Sequence, residues 1–171
     1  MDIPVVSIVG QSSNSGKTTL LVKLIAEAKN RGWRVAAVKH DVHGFDLDKP
    51  GKDTWRFAQA GADVVAISSP EKMAIIEKVQ EERTLEEVLR QIKDVDIIFT
   101  EGYKHGGQPR IEVFRSEVHE KLLSEPGQLI AIASDVPFEI GVPCFDLNDA
   151  KSICDFLQEK YGLPLSGTRG Q

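Results

Sequence analysis

An apolar, β-branched run, IPVVSIV (Ile3 to Val9), passes directly into GQSSNSGKTT (Gly10 to Thr19) and then into a helical repeat. A buried strand that turns through small residues into an amphipathic helix is the setting of the phosphate-binding loop G-x-x-x-x-G-K-[ST]. Such a loop curls backbone N–H groups round a phosphate, with a lysine for the outer phosphates and a hydroxyl for Mg2+. Gly16 permits the close approach, Lys17 brings the charge and Thr18 the hydroxyl. Ser13, Asn14, Ser15 and Thr19 complete the expected cradle. The spacing departs from the motif. Five residues, Gln11 to Ser15, separate Gly10 from Gly16, and Gln11 stands where the first glycine belongs. The path of the chain at Gly10 and Gln11 is therefore open at this point.

The rest of the chain fits a parallel sheet. Leu20, Leu21, Leu24, Ile25 and Ala28 line one face of the helix that begins at Lys17, and Gly32 is its stop signal. Trp33 to Lys39 returns as a second strand, which makes a strand–loop–helix–strand unit. His40 to Asp53 is a polar connection long enough to be either mobile or functional. Beyond it the pattern predicts a short helix over Thr54 to Ala60, a strand at ADVVAISS and an edge strand at KMAIIEKVQ. TLEEVLRQI reads as a helix, with Thr84 and Glu87 at capping-box spacing. VDIIFTEG, RIEVF and LIAIASD read as strands, and a last helix follows with Asn148 as its N-cap. The expected fold class is α/β, a mostly parallel twisted sheet flanked by helices, in a single domain over 1–163 with a loose tail at 164–171.

Charge and composition narrow the partners. The net charge is -5, from 21 basic and 26 acidic side chains. A general grip on polyanions needs the opposite sign, so no nucleic acid is expected. The apolar runs are strand-sized, so no membrane span is expected. The start MDIPVVSIV lacks the basic residues and cleavage site of a secretory signal. Cys144 and Cys154 are too few for a disulfide framework or a zinc site. A cytoplasmic protein is the expectation.

A phosphate loop needs an acidic partner on a neighbouring strand. Glu101 closes VDIIFTEG and Asp96 opens it. Ligands of parallel sheets sit at the carboxyl ends of strands, which favours Glu101 and makes Asp96 a strand-start residue. Asp41, just past the second strand, either binds Mg2+ or caps its own loop. His40 and His43 with Asp41, Asp46 and Asp48 match no zinc spacing. Lys39, Lys49, Lys52, Lys104 and Arg110 can add positive charge near the site, and surface charge explains each equally well. His105 and His119 carry no signal. No water-orienting residue or stabilising arginine stands out, and only Arg56 and Arg110 fall in near-site segments. Asp135 ends LIAIASD, where a carboxylate can accept from N1–H and the 2-amino group of guanine, or simply cap the next loop.

Several segments together resemble the molybdopterin-guanine dinucleotide biosynthesis protein B family. They are SGKTTLL, VKHDVH, DLDKPGKDTWRFAQAGA, TEGYKH and IASDVP, in this order, and the likeness runs from Ile3 to about Tyr161. The resemblance implies a P-loop NTPase fold, a homodimer, and binding of GTP with Mg2+ and at most slow hydrolysis. Lys17 and Glu101 would be the catalytic residues, and Thr18, Glu101 and Asp41 the metal ligands. Asp135 would read guanine. It also implies an adapter that assists a separate nucleotidyltransferase in joining GMP to molybdopterin during molybdenum cofactor synthesis. Two other classes compete: a P-loop small-molecule kinase or ATP-dependent ligase, and a non-catalytic interaction module that keeps the loop as an anion site.

Overall fold

A computed structural model of the chain describes residues 3–103 and 106–165. In chain order the elements are β1 (Val5–Val9), α1 (Lys17–Asn30), β2 (Val35–Lys39), α2 (Asp53–Gln59), β3 (Val64–Ser68), β4 (Met73–Glu77) and α3 (Leu85–Leu89). After these come β5 (Ile97–Glu101), β6 (Arg110–Phe114), β7 (Leu129–Ser134), β8 (Cys144–Asp146) and α4 (Ala150–Tyr161). They fall into two compact units. One runs to His40 and resumes at Arg90, and the other is Asp41–Leu89. The sequence carries no linker signature at either junction.

The larger unit holds a six-stranded sheet in the order β2-β5-β1-β6-β7-β8. Every pairing in it is parallel. The chain leaves β1 through α1 to reach β2 on one side, whereas β6 and β7 lie on the other. The carboxyl end of β1 is therefore a switch point, where open α/β sheets form a crevice. The side-chain period of two divides the strands cleanly. Val6, Ile8, Ile97, Phe99, Ile111, Val113, Ala131 and Ala133 form one buried face. Leu20, Leu21, Leu24 and Ala28 of α1 and Ile153, Cys154 and Leu157 of α4 complete that core. Each fully buried Leu or Ile there contributes about 1.5–3 kcal/mol. The opposite parity carries buried polar side chains: Ser7, Thr100, Arg110, Glu112 and Ser134. Ser7 and Thr100 share a hydroxyl–hydroxyl bond of 2.8 Å. The Glu112 carboxylate accepts from the N–H groups of Leu123 at 2.5 Å and Ser124 at 2.9 Å, which satisfies a charge that burial would otherwise penalise.

α1 stops as its sequence requires. Gly32 has φ +80, Gly32 N–H reaches Lys29 O at 2.9 Å and Trp33 N–H reaches Ala28 O at 3.0 Å, a Schellman end. Trp33 is fully buried, and its Nε1–H donates to Pro164 O at 2.8 Å. Leu163 is buried as well. The chain is thus tied down at Leu163, the last residue of the expected domain, and at Pro164, the first of the stretch expected to be loose; residues 166–171 lie outside the described residues.

Further differences concern β3 and β4, the extent of α3, the N-cap of α4 and the presence of β8. β3 and β4 do not join the main sheet; they pair antiparallel as a two-stranded sheet within Asp41–Leu89. Only four residues separate them, closed by Ser69 N–H on Lys72 O at 2.9 Å, and so short a turn can connect only antiparallel strands. The helix expected across TLEEVLRQI covers only Leu85–Leu89, although the capping box does form: Thr84 N–H to Glu87 at 2.8 Å and Glu87 N–H to Thr84 Oγ1 at 3.3 Å. The N-cap of α4 is Asp149, not Asn148: Asp149 accepts from Ser152 N–H at 3.0 Å, while Asn148 Oδ1 accepts from Lys23 Nζ at 2.6 Å. β8 has three residues, too few to leave a periodic trace.

Asp149→Ala is expected to lower stability by about 1 kcal/mol and Asn148→Ala by less, as read by urea unfolding; the reverse order would put the cap at Asn148. Burial pushes the Cys154 thiol up to about 12, whereas Cys144 is only partly buried. Iodoacetamide on the native protein is therefore expected to modify Cys144 well before Cys154, and equal rates would contradict this packing.

Candidate functional site

The loop between β1 and α1 leaves the sheet at its switch point, and Gly10 sets its course. A Cβ at Gly10 would stand 2.5 Å from Ser15 Oγ and 3.1 Å from Val113 O. The position with too little space for an undisturbed side chain is therefore Gly10, one residue before the slot in the motif. Gln11 is exposed and has no left-handed backbone. The additional residue is taken up by one 3-10 turn, Ser13–Ser15. Ser12 O is the hub of that turn: it accepts from Ser15 N–H at 3.4 Å, Ser15 Oγ at 2.8 Å and Lys17 Nζ at 2.6 Å. Gly16, at φ +90, swings the chain into α1, whose first bond runs from Leu20 N–H to Gly16 O at 3.0 Å.

Lys17 is buried under this turn, and its ammonium also donates to Ser15 Oγ at 3.1 Å. Thr18 Oγ1 donates to both oxygens of Glu101, at 2.9 and 3.1 Å. Glu101 ends β5 beside β1 and is itself buried. The fit to Mg2+ can be judged from this pair. Mg2+ takes oxygen ligands at about 2.0–2.1 Å in an octahedron, which puts neighbouring ligands about 2.9 Å apart. A threonine hydroxyl and a carboxylate at that separation are a suitable hard-oxygen pair. Asp96 lies at the other end of β5 and is bound to Arg34: its Oδ2 accepts Arg34 N–H at 2.6 Å and its N–H donates to Arg34 O at 2.7 Å. Asp41 belongs to the other unit, where its Oδ1 accepts His43 N–H at 3.1 Å. Among the described residues no three His, Cys, Asp or Glu side chains converge as a metal cluster.

The ends of β2 and β5 form one corner. His40 N–H donates to Glu101 O at 2.9 Å, and the rings of His40 and Tyr103 stack at 4.8 Å with a 22° tilt. Gly102 has φ +99, and a Cβ there would come within 2.8 Å of His40 O. Only glycine tolerates both. The Lys-His and Glu-Gly-Tyr stretches, far apart in sequence, thus brace the Glu101 backbone. Lys104 and His105 lie outside the described residues.

Asp135 follows β7 and is exposed. Its carboxylate accepts from Ser116 N–H at 2.9 and 3.2 Å and from the Ser116 hydroxyl at 3.2 Å. The Ser116 backbone bond, more than any other contact, holds this carboxyl below the usual carboxylate range, so it is ionised at neutral pH.

The turn after β6 corrects two readings. His119, read as carrying no signal, is buried against the loop. Arg115 N–H donates to His119 Nδ1 at 3.4 Å, which leaves the ring proton on Nε2 to face Ser12 Oγ at 3.1 Å. Arg115, given no near-site role, lies with its guanidinium against Gly16: a Cβ there would be 3.3 Å from Nε and 3.4 Å from Nη2. Arg110, one of the two arginines placed in near-site segments, is buried at the start of β6 and donates to Gly106 O. No regular spacing connects residues 115 and 119 to 12 and 16. The available signal is that both follow a strand end, as Glu101 and Asp135 do.

The sequence matches the family described as molybdopterin guanine dinucleotide synthesis protein B over residues 5–135. It is 37% identical over 154 residues to the molybdopterin-guanine dinucleotide biosynthesis adapter protein of Escherichia coli, covering 86% of this chain and 87% of that one. The Haemophilus influenzae protein of the same description is 35% identical over 158 residues, covering 91% and 88%. The crystal structure of Bacillus subtilis MobB superposes with a TM-score of 0.73 at 26% identity, covering 96% of this chain and 99% of that one. Among the described residues no helix is long and apolar enough to cross a membrane.

Gly10→Ala is expected to cost about 1–3 kcal/mol in urea unfolding, because it overpacks against Ser15 and Val113 O. Gln11→Ala should stay within about 0.5 kcal/mol of the parent. A neutral Gly10→Ala would show that the loop start is not set by this contact.

Proposed function

The chain belongs to the molybdopterin guanine dinucleotide synthesis protein B family, and from that premise we propose a GTP-binding adapter of molybdopterin-guanine dinucleotide biosynthesis. Its partner is a nucleotidyltransferase that joins GMP to molybdopterin, and it works in the cytoplasm. The contact that carries the nucleotide reading is Thr18 on Glu101 at 2.9 Å, at the mouth of the phosphate loop. The N–H groups of Ser13, Asn14, Ser15, Gly16, Lys17, Thr18 and Thr19 cradle phosphate oxygens. Lys17 exchanges its bonds to Ser12 and Ser15 for the outer phosphates. Thr18 and Glu101 hold Mg2+, which when bound neutralises charge on those phosphates. Glu101 is braced from behind by His40 and Gly102, so its carboxylate is positioned before any ligand arrives. Asp135, ionised and exposed, accepts from guanine in place of Ser116.

Hydrolysis in this reading is slow. A homodimer is part of the proposal. The hairpin of β3 and β4 supports it, since Val64, Ile67, Met73 and Ile75 are all exposed there and a run of apolar side chains favours a protein contact.

Titration of the protein with GTP and with ATP, each with Mg2+, tests the reading. GTP should bind more tightly. Asp135→Ala should reduce that preference by about 10–100-fold, the worth of a bond to a charged group. Lys17→Ala should weaken both nucleotides by about 100-fold or more, because the phosphates lose their principal counter-charge. Equal affinity for GTP and ATP in the parent protein would end the guanine assignment.

A further inference from the structure

We propose that Arg115 is a second cationic ligand of the nucleotide, contacting a phosphate on the nucleoside side of the loop. The inference rests on the nucleotide-binding reading above and adds to it a residue, a place and a ligand group.

The guanidinium turns its Nε–Nη2 edge toward the glycine that opens α1. From the Cβ position of Gly16, Nε is 3.3 Å away, Nη2 3.4 Å and Cζ 3.7 Å. Arg115 Nε is also buried and, among the described residues, has no hydrogen-bond partner. An unsatisfied buried donor is destabilising, and an acceptor brought by a ligand removes that cost. The planar fork of arginine suits phosphate oxygens, to which it can donate in pairs.

The backbone delivers this side chain rigidly. Arg115 O accepts from Val118 N–H at 3.1 Å and His119 N–H at 2.9 Å, closing a tight turn. His119 fastens that turn to Ser12 at 3.1 Å. The next residue, Ser116, binds Asp135. One five-residue turn therefore touches the phosphate loop at both ends and the proposed base-reading carboxylate as well.

Sheet order decides which phosphate it meets. β5 and β6 flank β1 on opposite sides. Thr18 and Glu101 stand on the β5 side, while Arg115 stands on the β6 side, toward β7 and Asp135. A nucleotide with its metal at Thr18 and its base at Asp135 passes Arg115 with its inner phosphates. Those phosphates are shared by GTP and GDP.

The test is a titration of GTP and GDP against the parent, Lys17→Ala, Arg115→Gln and Arg115→Lys, at two ionic strengths. Arg115→Gln is expected to weaken GTP and GDP by the same factor, about 10–100-fold, with a shallower salt dependence for both. Arg115→Lys keeps the charge but loses the fork, and should fall between. A loss confined to GTP would place the contact at the terminal phosphate and overturn the proposal. An equal loss with unchanged salt dependence would mark a structural role and overturn it too. If Arg115→Gln does not fold, the same comparison is read on Arg115→Lys, where full parental affinity for GDP is the overturning result. If the parent and Lys17→Ala behave as the nucleotide reading requires while the Arg115 variants match the parent, this inference alone fails. A parent that binds neither nucleotide removes the reading beneath it as well.

Discussion

The bond from Thr18 to Glu101 joins residues 83 positions apart in the chain and holds together the two sides of the site. It exists because β1 pairs parallel with β5 in a register that sets Ile8 opposite Glu101. A slip of one residue would turn Glu101 to the other face of the sheet. Register is secured by burial on both faces. Ile97 and Phe99 enter the core under α1, while Ile98 and Thr100 are buried on the other side. A hydrophobic core with no part in chemistry thus fixes a hydroxyl and a carboxylate within hydrogen-bond reach.

The loop obeys the same economy of space. Its departure from the standard spacing looked like a weakening of the motif. In the fold, the need for a bare backbone has moved to Gly10, where Ser15 Oγ and Val113 O leave no room for a methyl group. The additional residue becomes a 3-10 turn gathered on Ser12 O, with the Lys17 ammonium bound to the same oxygen. The parts of the motif stay together, with the Lys17 ammonium in the turn and the Thr18 hydroxyl on Glu101, although one more residue lies between the two glycines.

Much of this was legible in one dimension. The apolar strand, the loop and the leucine face of α1 announced a phosphate loop through local periodicity alone. Glu101 was preferred to Asp96 by the rule that ligands gather at the carboxyl ends of parallel strands, and Asp96 indeed sits at the opposite end, bound to Arg34. Other features were hidden. Nothing local distinguishes Asn148 from Asp149 as a cap; the choice depends on which side chain Lys23 of α1 engages. Both strands of the β3–β4 hairpin are legible, but their pairing apart from the main sheet is not, because strand pairing is a long-range matter that a local pattern cannot express.

The sequence by itself determined the class of fold, the family and the phosphate loop, since each is written in contiguous residues whose spacing has a local physical meaning. Only the tertiary structure decided that His40, Gly102 and Tyr103 brace Glu101, that His119 fastens Ser12, and that Arg115 lies on Gly16. Those contacts arise from strand order and register. The chain specifies them through its whole core, so they appear only once that core has formed.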